Sequence, residues 1–190
     1  MSASEFRALD LRAHELLSDA PLHDVWRIEL RRGGPNLTVS DVLDVFVEVA
    51  RSGLGPVSRA LFGLRSVVGR AFGWDREVAD AAARSYLNRL SDDDRARSLE
   101  APGSKRFFWT TLYSFEREGV GEVINRTVHS FLLFALVPSA GGHTLYWATY
   151  VKPVSRFTSF YMALIDPFRR WLIYPALIRR IEHTWNADTG

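Results

Sequence analysis

The chain has 190 residues, of which 47% are hydrophobic and 13% aromatic, with a formal charge of +2 and a pI of about 9.1. This length and apolar content fit one domain with a substantial core, and the absence of cysteine excludes disulfides, thiol nucleophiles and cysteine-ligated metals. Lys105 and Lys152 are the only lysines, and the mild, arginine-borne basicity is too weak to imply a nucleic acid or another polyanion as partner.

The first stretch, Met1 to Asp19, alternates charged and apolar residues. It lacks the apolar run of a signal peptide, so the chain is expected in the cytoplasm. Phe6, Leu9, Ala13, Leu16 and Leu17 recur at helical spacing, which predicts a short N-terminal helical extension over residues 1–20. From Asp24 the period changes to two. Trp26, Ile28 and Leu30 share one face of a strand and Val25, Arg27 and Glu29 the other, until Gly33-Gly34-Pro35 breaks the pattern. Thr38, with Asp41 three residues on, predicts the start of a helix buried along Leu43, Phe46 and Val49 or Ala50. A second helix is expected from Val57 to Phe72, and Asp75 caps a third that includes Tyr86 and Leu90. The charged run Ser91 to Glu100 reads as a solvated turn or short helix.

The second half reads as sheet. Phe107 to Glu116 carries β-favouring residues at both alternating positions, which predicts a strand with little surface in water. Arg117-Glu118-Gly119 links it to a long segment, Val120 to Val137, which is expected to bend because it exceeds a usual strand. Pro138 to Gly142 then turns the chain into His143 to Val151, so that the segments form an antiparallel meander. A terminal helix over residues 155–185 is apolar at Phe157, Phe160, Leu164, Phe168, Leu172, Leu177 and Ile181, either bent or split by Pro167 and Pro175. The longest apolar run, Phe131 to Val137, is too short to cross a bilayer.

A sheet delivered into such a helix predicts a curved antiparallel sheet wrapped around it, with a mostly nonpolar chamber between them. Asn125, Thr127 and His129 fall at period two on one strand, continued by Phe131, and form candidate polar anchors at one end of an apolar trough. Hydrogen bonding to neighbouring strands is the structural alternative for these three. Trp26, Trp109, Tyr113 and Phe131 are the candidate walls. For an enzyme acting in the same space, His129 and the acids Glu116, Glu118 and Glu122 are the titratable groups available, although acids near a turn are more often solvated. No complete catalytic or metal motif occurs and no cofactor is implied. Arg169, Arg170, Arg179 and Arg180, interleaved with aromatics, form a candidate surface for an anionic membrane or a protein partner.

The motifs EVINRTVHSFLLFALVP (Glu122 to Pro138), YVKP (Tyr150 to Pro153), YMALIDPFRR (Tyr161 to Arg170) and IYPALIRRIEHTW (Ile173 to Trp185), with LHDVWRIEL (Leu22 to Leu30) near the front, resemble an uncharacterised bacterial family, domain of unknown function 2867. That family looks like a branch of the START-like, pollen-allergen-like or SRPBCC superfamily. The resemblance implies one α+β helix-grip domain over residues 1–190, with two or three helices between the first strand and the meander, and further strands within 120–137 or near 99–106. It implies binding of a hydrophobic or amphipathic small molecule, lipid- or polyketide-like, between sheet and terminal helix. Two alternatives stand beside it: a cyclase, dehydratase or hydrolase acting on a bulky apolar substrate in the same space, and a membrane-surface or partner-binding module.

Overall fold

A computed structural model describes residues 3–52, 81–125, 128–154 and 166–187. The expected helix at Val57 to Phe72, the Asp75 cap and residues 155–165 of the terminal segment lie outside them. Two short helices, α1 (Ala3–Arg7) and α2 (Arg12–Leu16), replace the single N-terminal helix; the chain breaks between them near Asp10. β1 (Leu22–Leu30) follows, and then α3 (Val39–Arg51), which opens with a capping box: Thr38 Oγ1 accepts from the Asp41 N–H, and the Asp41 carboxylate accepts from the Thr38 N–H. After α4 (Ala81–Arg84) comes a 3-10 turn, Tyr86–Arg89, and α5 (Asp92–Arg97), capped in the same way by Ser91 and Asp94. The five strands of the second half are β2 (Lys105–Arg106), β3 (Trp109–Ser114), β4 (Glu118–Ile124), β5 (His129–Ser139) and β6 (Gly142–Lys152).

The sheet is antiparallel in the order β1-β6-β5-β4-β3-β2. The strands expected within 120–137 and near 99–106 are found there. The long segment is two strands, β4 and β5, folded at Asn125, where the Asn125 Oδ1 accepts from the Val128 N–H at 2.9 Å. That side-chain bond closes a turn without the glycine that would have signalled it.

Both faces of the sheet are covered. Ile28, Leu30, Trp109, Leu132, Phe134, Leu136, Leu145 and Trp147 meet α3 and the terminal helix on one face. Leu112, Tyr113, Val120, Phe131, Leu133, Ala148 and Tyr150 meet α1, α2 and the Tyr86–Leu90 turn on the other. Period-two alternation of apolar residues on every central strand requires this arrangement, because neither row tolerates water. Gly121 lets the first face close: a Cβ there would stand 2.3 Å from the Trp109 indole.

Residues 166–187 form one helix interrupted by a π-helical segment, Arg169–Ile173, which leads into α6 (Tyr174–Ala187). The Tyr174 N–H bonds to the Arg169 carbonyl, five residues back. Pro175 has no N–H to give the carbonyl of Trp171 and its ring crowds that group, so the widened turn sits where an α-helix would clash.

Candidate functional site

Asp24 and Trp26 lie two apart on β1, and Trp147 and Thr149 two apart on β6. The register sets Trp26 opposite Trp147 and Asp24 opposite Thr149, so all four point to the helix-bearing face. His23 is the extra residue of a β-bulge between Leu22 and Asp24. The bulge turns Leu22 to one face and Asp24 to the other, and leaves His23 at the sheet edge, where its Nε2 pairs with Asp166 at 2.8 Å.

The π-helical segment supplies the roof. In an α-helix, residues five apart point about 140° from one another; the wider π turn brings them close together. Arg169 Nε thus donates to Tyr174 Oη at 2.8 Å, while the same guanidinium reaches Asp24 Oδ2 at 3.1 Å and Asp166 Oδ1 at 3.0 Å. The Tyr174 ring closes on both indoles, 5.4 Å from Trp26 and 4.4 Å from Trp147. Burial pushes the Tyr174 hydroxyl above its ordinary pKa despite the opposing Arg169 charge, so it stays a neutral donor. Burial lowers the Arg169 pKa, but Tyr174, Asp24 and Asp166 outweigh it and the net shift is upward, which keeps the guanidinium charged.

Four buried polar atoms in this patch have no hydrogen-bond partner: Asp24 Oδ1, Trp26 Nε1, Trp147 Nε1 and Thr149 Oγ1. The Asp24 side chain is 7% exposed. An unpaired buried polar group costs about 1–3 kcal/mol, so these four leave a demand for hydrogen bonds that water or a polar guest would meet. The patch offers two indole donors, one carboxylate acceptor and one hydroxyl able to act either way. Farther along the face the described residues pack closely. Phe46 of α3 sits edge-on to Trp147, Phe134 and Trp109 at 5.0, 5.2 and 6.4 Å, and the depression beside Trp109 and Gly121 admits about one water.

Trp26 alone of the residues singled out as walls or anchors belongs to this patch. Trp109 lies on the same face under α3, whereas Tyr113, His129 and Phe131 point to the opposite face among the N-terminal helices and Tyr86. Asn125 closes the β4–β5 turn, and Thr127 lies outside the described residues. Of the four arginines, Arg169 is turned inward, and Arg170, Arg179 and Arg180 are exposed.

Glu118, Glu122 and His129 are buried on the opposite face, and Glu116 is exposed. Glu122 accepts from Ser85 Oγ at 2.5 Å and from the Tyr86 N–H at 2.9 Å, and pairs with His129 Nε2 at 2.9 Å. The serine bonds to the acid and not to the imidazole, so these three do not form a Ser–His–acid triad. This group ties the Tyr86 turn to the sheet. Sequence reading missed Asp24, Trp147, Thr149 and the inward use of Arg169. An acid at an inward strand position two before a tryptophan was the available signal.

Fold and site together define an α+β protein whose six-stranded antiparallel sheet carries, under its C-terminal helix, a buried and incompletely paired polar cluster. The chain belongs to the family described as Protein of unknown function (DUF2867), whose pattern covers residues 16–176. His23, Asp24, Trp26, Trp147, Thr149, Asp166, Arg169 and Tyr174 fall within that span, and Arg179 and Arg180 lie beyond it. Comparison with curated protein sequences gives no match.

Proposed function

We propose that the protein is a helix-grip binding protein that holds an amphipathic small molecule between the sheet and the C-terminal helix, its polar end on Asp24, Trp26, Trp147 and Thr149 beside Arg169. The antiparallel sheet with one long helix laid across a face supports the START-like reading. The observation that carries the binding reading is the set of four unpartnered buried polar atoms on one face of the β1–β6 pair. Trp26 and Tyr174 supply apolar wall on two sides, and their ring edges suit a flat or cyclic apolar body. The guest's polar end needs an acceptor for the indole N–H groups and a donor for Asp24 Oδ1, as a hydroxyl or an undissociated acid provides. Such pockets combine apolar lining with a few placed polar groups.

Native mass spectrometry of the freshly purified protein, followed by thermal shifts against a panel of hydroxylated lipids and polyketides, tests the reading. A bound mass or a stabilising shift is expected in the wild type and not in the Trp26→Phe, Trp147→Phe double variant, which keeps the rings and removes both donors. No added mass together with no shift across the panel overturns it.

One observation favours an enzymatic version of the same site: the His23–Asp166 pair at its edge, a carboxylate-oriented imidazole with a base's usual partner. Turnover of the identified guest by the wild type and not by His23→Ala would distinguish catalysis from storage.

A further inference from the structure

The outer side of the C-terminal helix carries aromatic and basic residues whose burial the fold does not use. Trp171 is 82% exposed, Phe168 47% and Leu172 39%. Arg170, Arg179, Arg180 and His183 are exposed on the same element. Both acids of residues 166–187 are engaged: Asp166 pairs with His23, Arg169 and Arg170, the last also donating to the His23 carbonyl, and Glu182 Oε1 accepts from the Glu29 N–H at 3.0 Å. Among the described residues, the exposed side chains of this helix from Phe168 to His183, about 22 Å, are therefore basic or apolar.

We propose that this side of the helix docks the protein on an anionic lipid bilayer. Trp171, Phe168 and Leu172 enter the headgroup boundary, and Arg179 and Arg180 face the lipid phosphates. The charge of the face complements an anionic surface. Its shape selects the partner: a convex helix side offers no groove to an acidic peptide, while a flat interface accepts it along its length. Tryptophan with its apolar body and single N–H donor suits that boundary. This inference does not depend on the ligand-binding reading, since no residue of the polar patch takes part.

Co-sedimentation with vesicles tests it: phosphatidylcholine alone, and three parts phosphatidylcholine to one part phosphatidylglycerol. Binding is expected only to the anionic vesicles and is released by high salt. Trp171→Ala should weaken it by about tenfold or more, and the Arg179→Glu, Arg180→Glu double variant by a comparable factor. These side chains are exposed, so circular dichroism should show the variants folded. Absence of binding to anionic vesicles, or binding indifferent to all three substitutions, overturns the proposal. So does a concentration-dependent dimer in analytical ultracentrifugation that Trp171→Ala dissolves while vesicles capture nothing, because the face then belongs to a second copy of the chain.

Discussion

Glu118 and Glu122 stand four residues apart on the same buried row of β4 and meet opposite conditions. Glu122 has three donors around its carboxylate. Its replacement by alanine strands Ser85, the Tyr86 N–H and His129 at once, and should lower stability by about 3–5 kcal/mol in urea unfolding. Glu118 accepts from the Tyr113 hydroxyl at 2.8 Å, but its Oε2 has no partner, and burial raises its pKa above the ordinary glutamate value. An acid with a raised folded-state pKa retains its proton longer folded than unfolded, so it withdraws stability as pH rises above about 4.3 toward the folded value. Glu118→Gln should therefore flatten the fall in stability over that window, as read by urea midpoints across a pH series.

At the scale of elements, the π-helical segment and the β1 bulge make the site. Each inserts one residue's worth of displacement into a regular element, and between them they bring His23, Asp24, Asp166, Arg169 and Tyr174 together. Inserting one alanine after Leu172 would put Arg169 and the tyrosine six apart, about 120° round the helix, and should separate the two side chains. The variant should remain folded by circular dichroism and lose guest binding in the thermal-shift assay. Gly121 makes the converse point on β4: Gly121→Ala places a methyl against Trp109 and should destabilise by about 1–3 kcal/mol through overpacking, measured by thermal unfolding.

For the whole molecule, the N-terminal helices are half of the cover on the second face. They are held by ion pairs as well as by packing. Asp19 binds Arg89 at 2.8 Å, Lys152 at 2.8 Å and the Tyr86 hydroxyl at 2.7 Å, and Arg12 binds the buried Asp94 at 3.0 Å. Arg89 foremost holds the Asp19 carboxyl far below the usual range, and Arg12 foremost lowers that of Asp94. Carboxyls with depressed folded-state pKa values contribute stability above about 3.9 that is lost as pH falls toward the folded values. Acid titration should accordingly loosen the N-terminal helices from the sheet, seen as a rise in dye binding to the face of Leu112, Tyr113 and Phe131.

Much of this was legible in the residues, for reasons visible one element at a time. The Thr38–Asp41 cap, the face of β1 containing Trp26, Ile28 and Leu30, and the shared face of His129, Phe131 and Leu133 are local consequences of spacing. Where a local signal was weak, the reading blurred: the β4–β5 turn is closed by an asparagine side chain, and the N-terminal helix breaks without proline or glycine. Periodicity states which residues share a face, but carries no information on what covers it. His129 and Phe131 consequently read equally well as the wall of a chamber or as the floor beneath the N-terminal helices.

The sequence by itself determined the α+β class, the meander, the terminal helix and the alternation that demands two covered faces, because these follow from period, caps and turn chemistry within short stretches. Only the tertiary structure decided which face each strand offers to the terminal helix, and that Trp26 meets Trp147 while Asp24 meets Arg169. Those pairings join residues more than a hundred positions apart, and they rest on sheet register and on two one-residue irregularities whose positions depend on packing across the whole molecule.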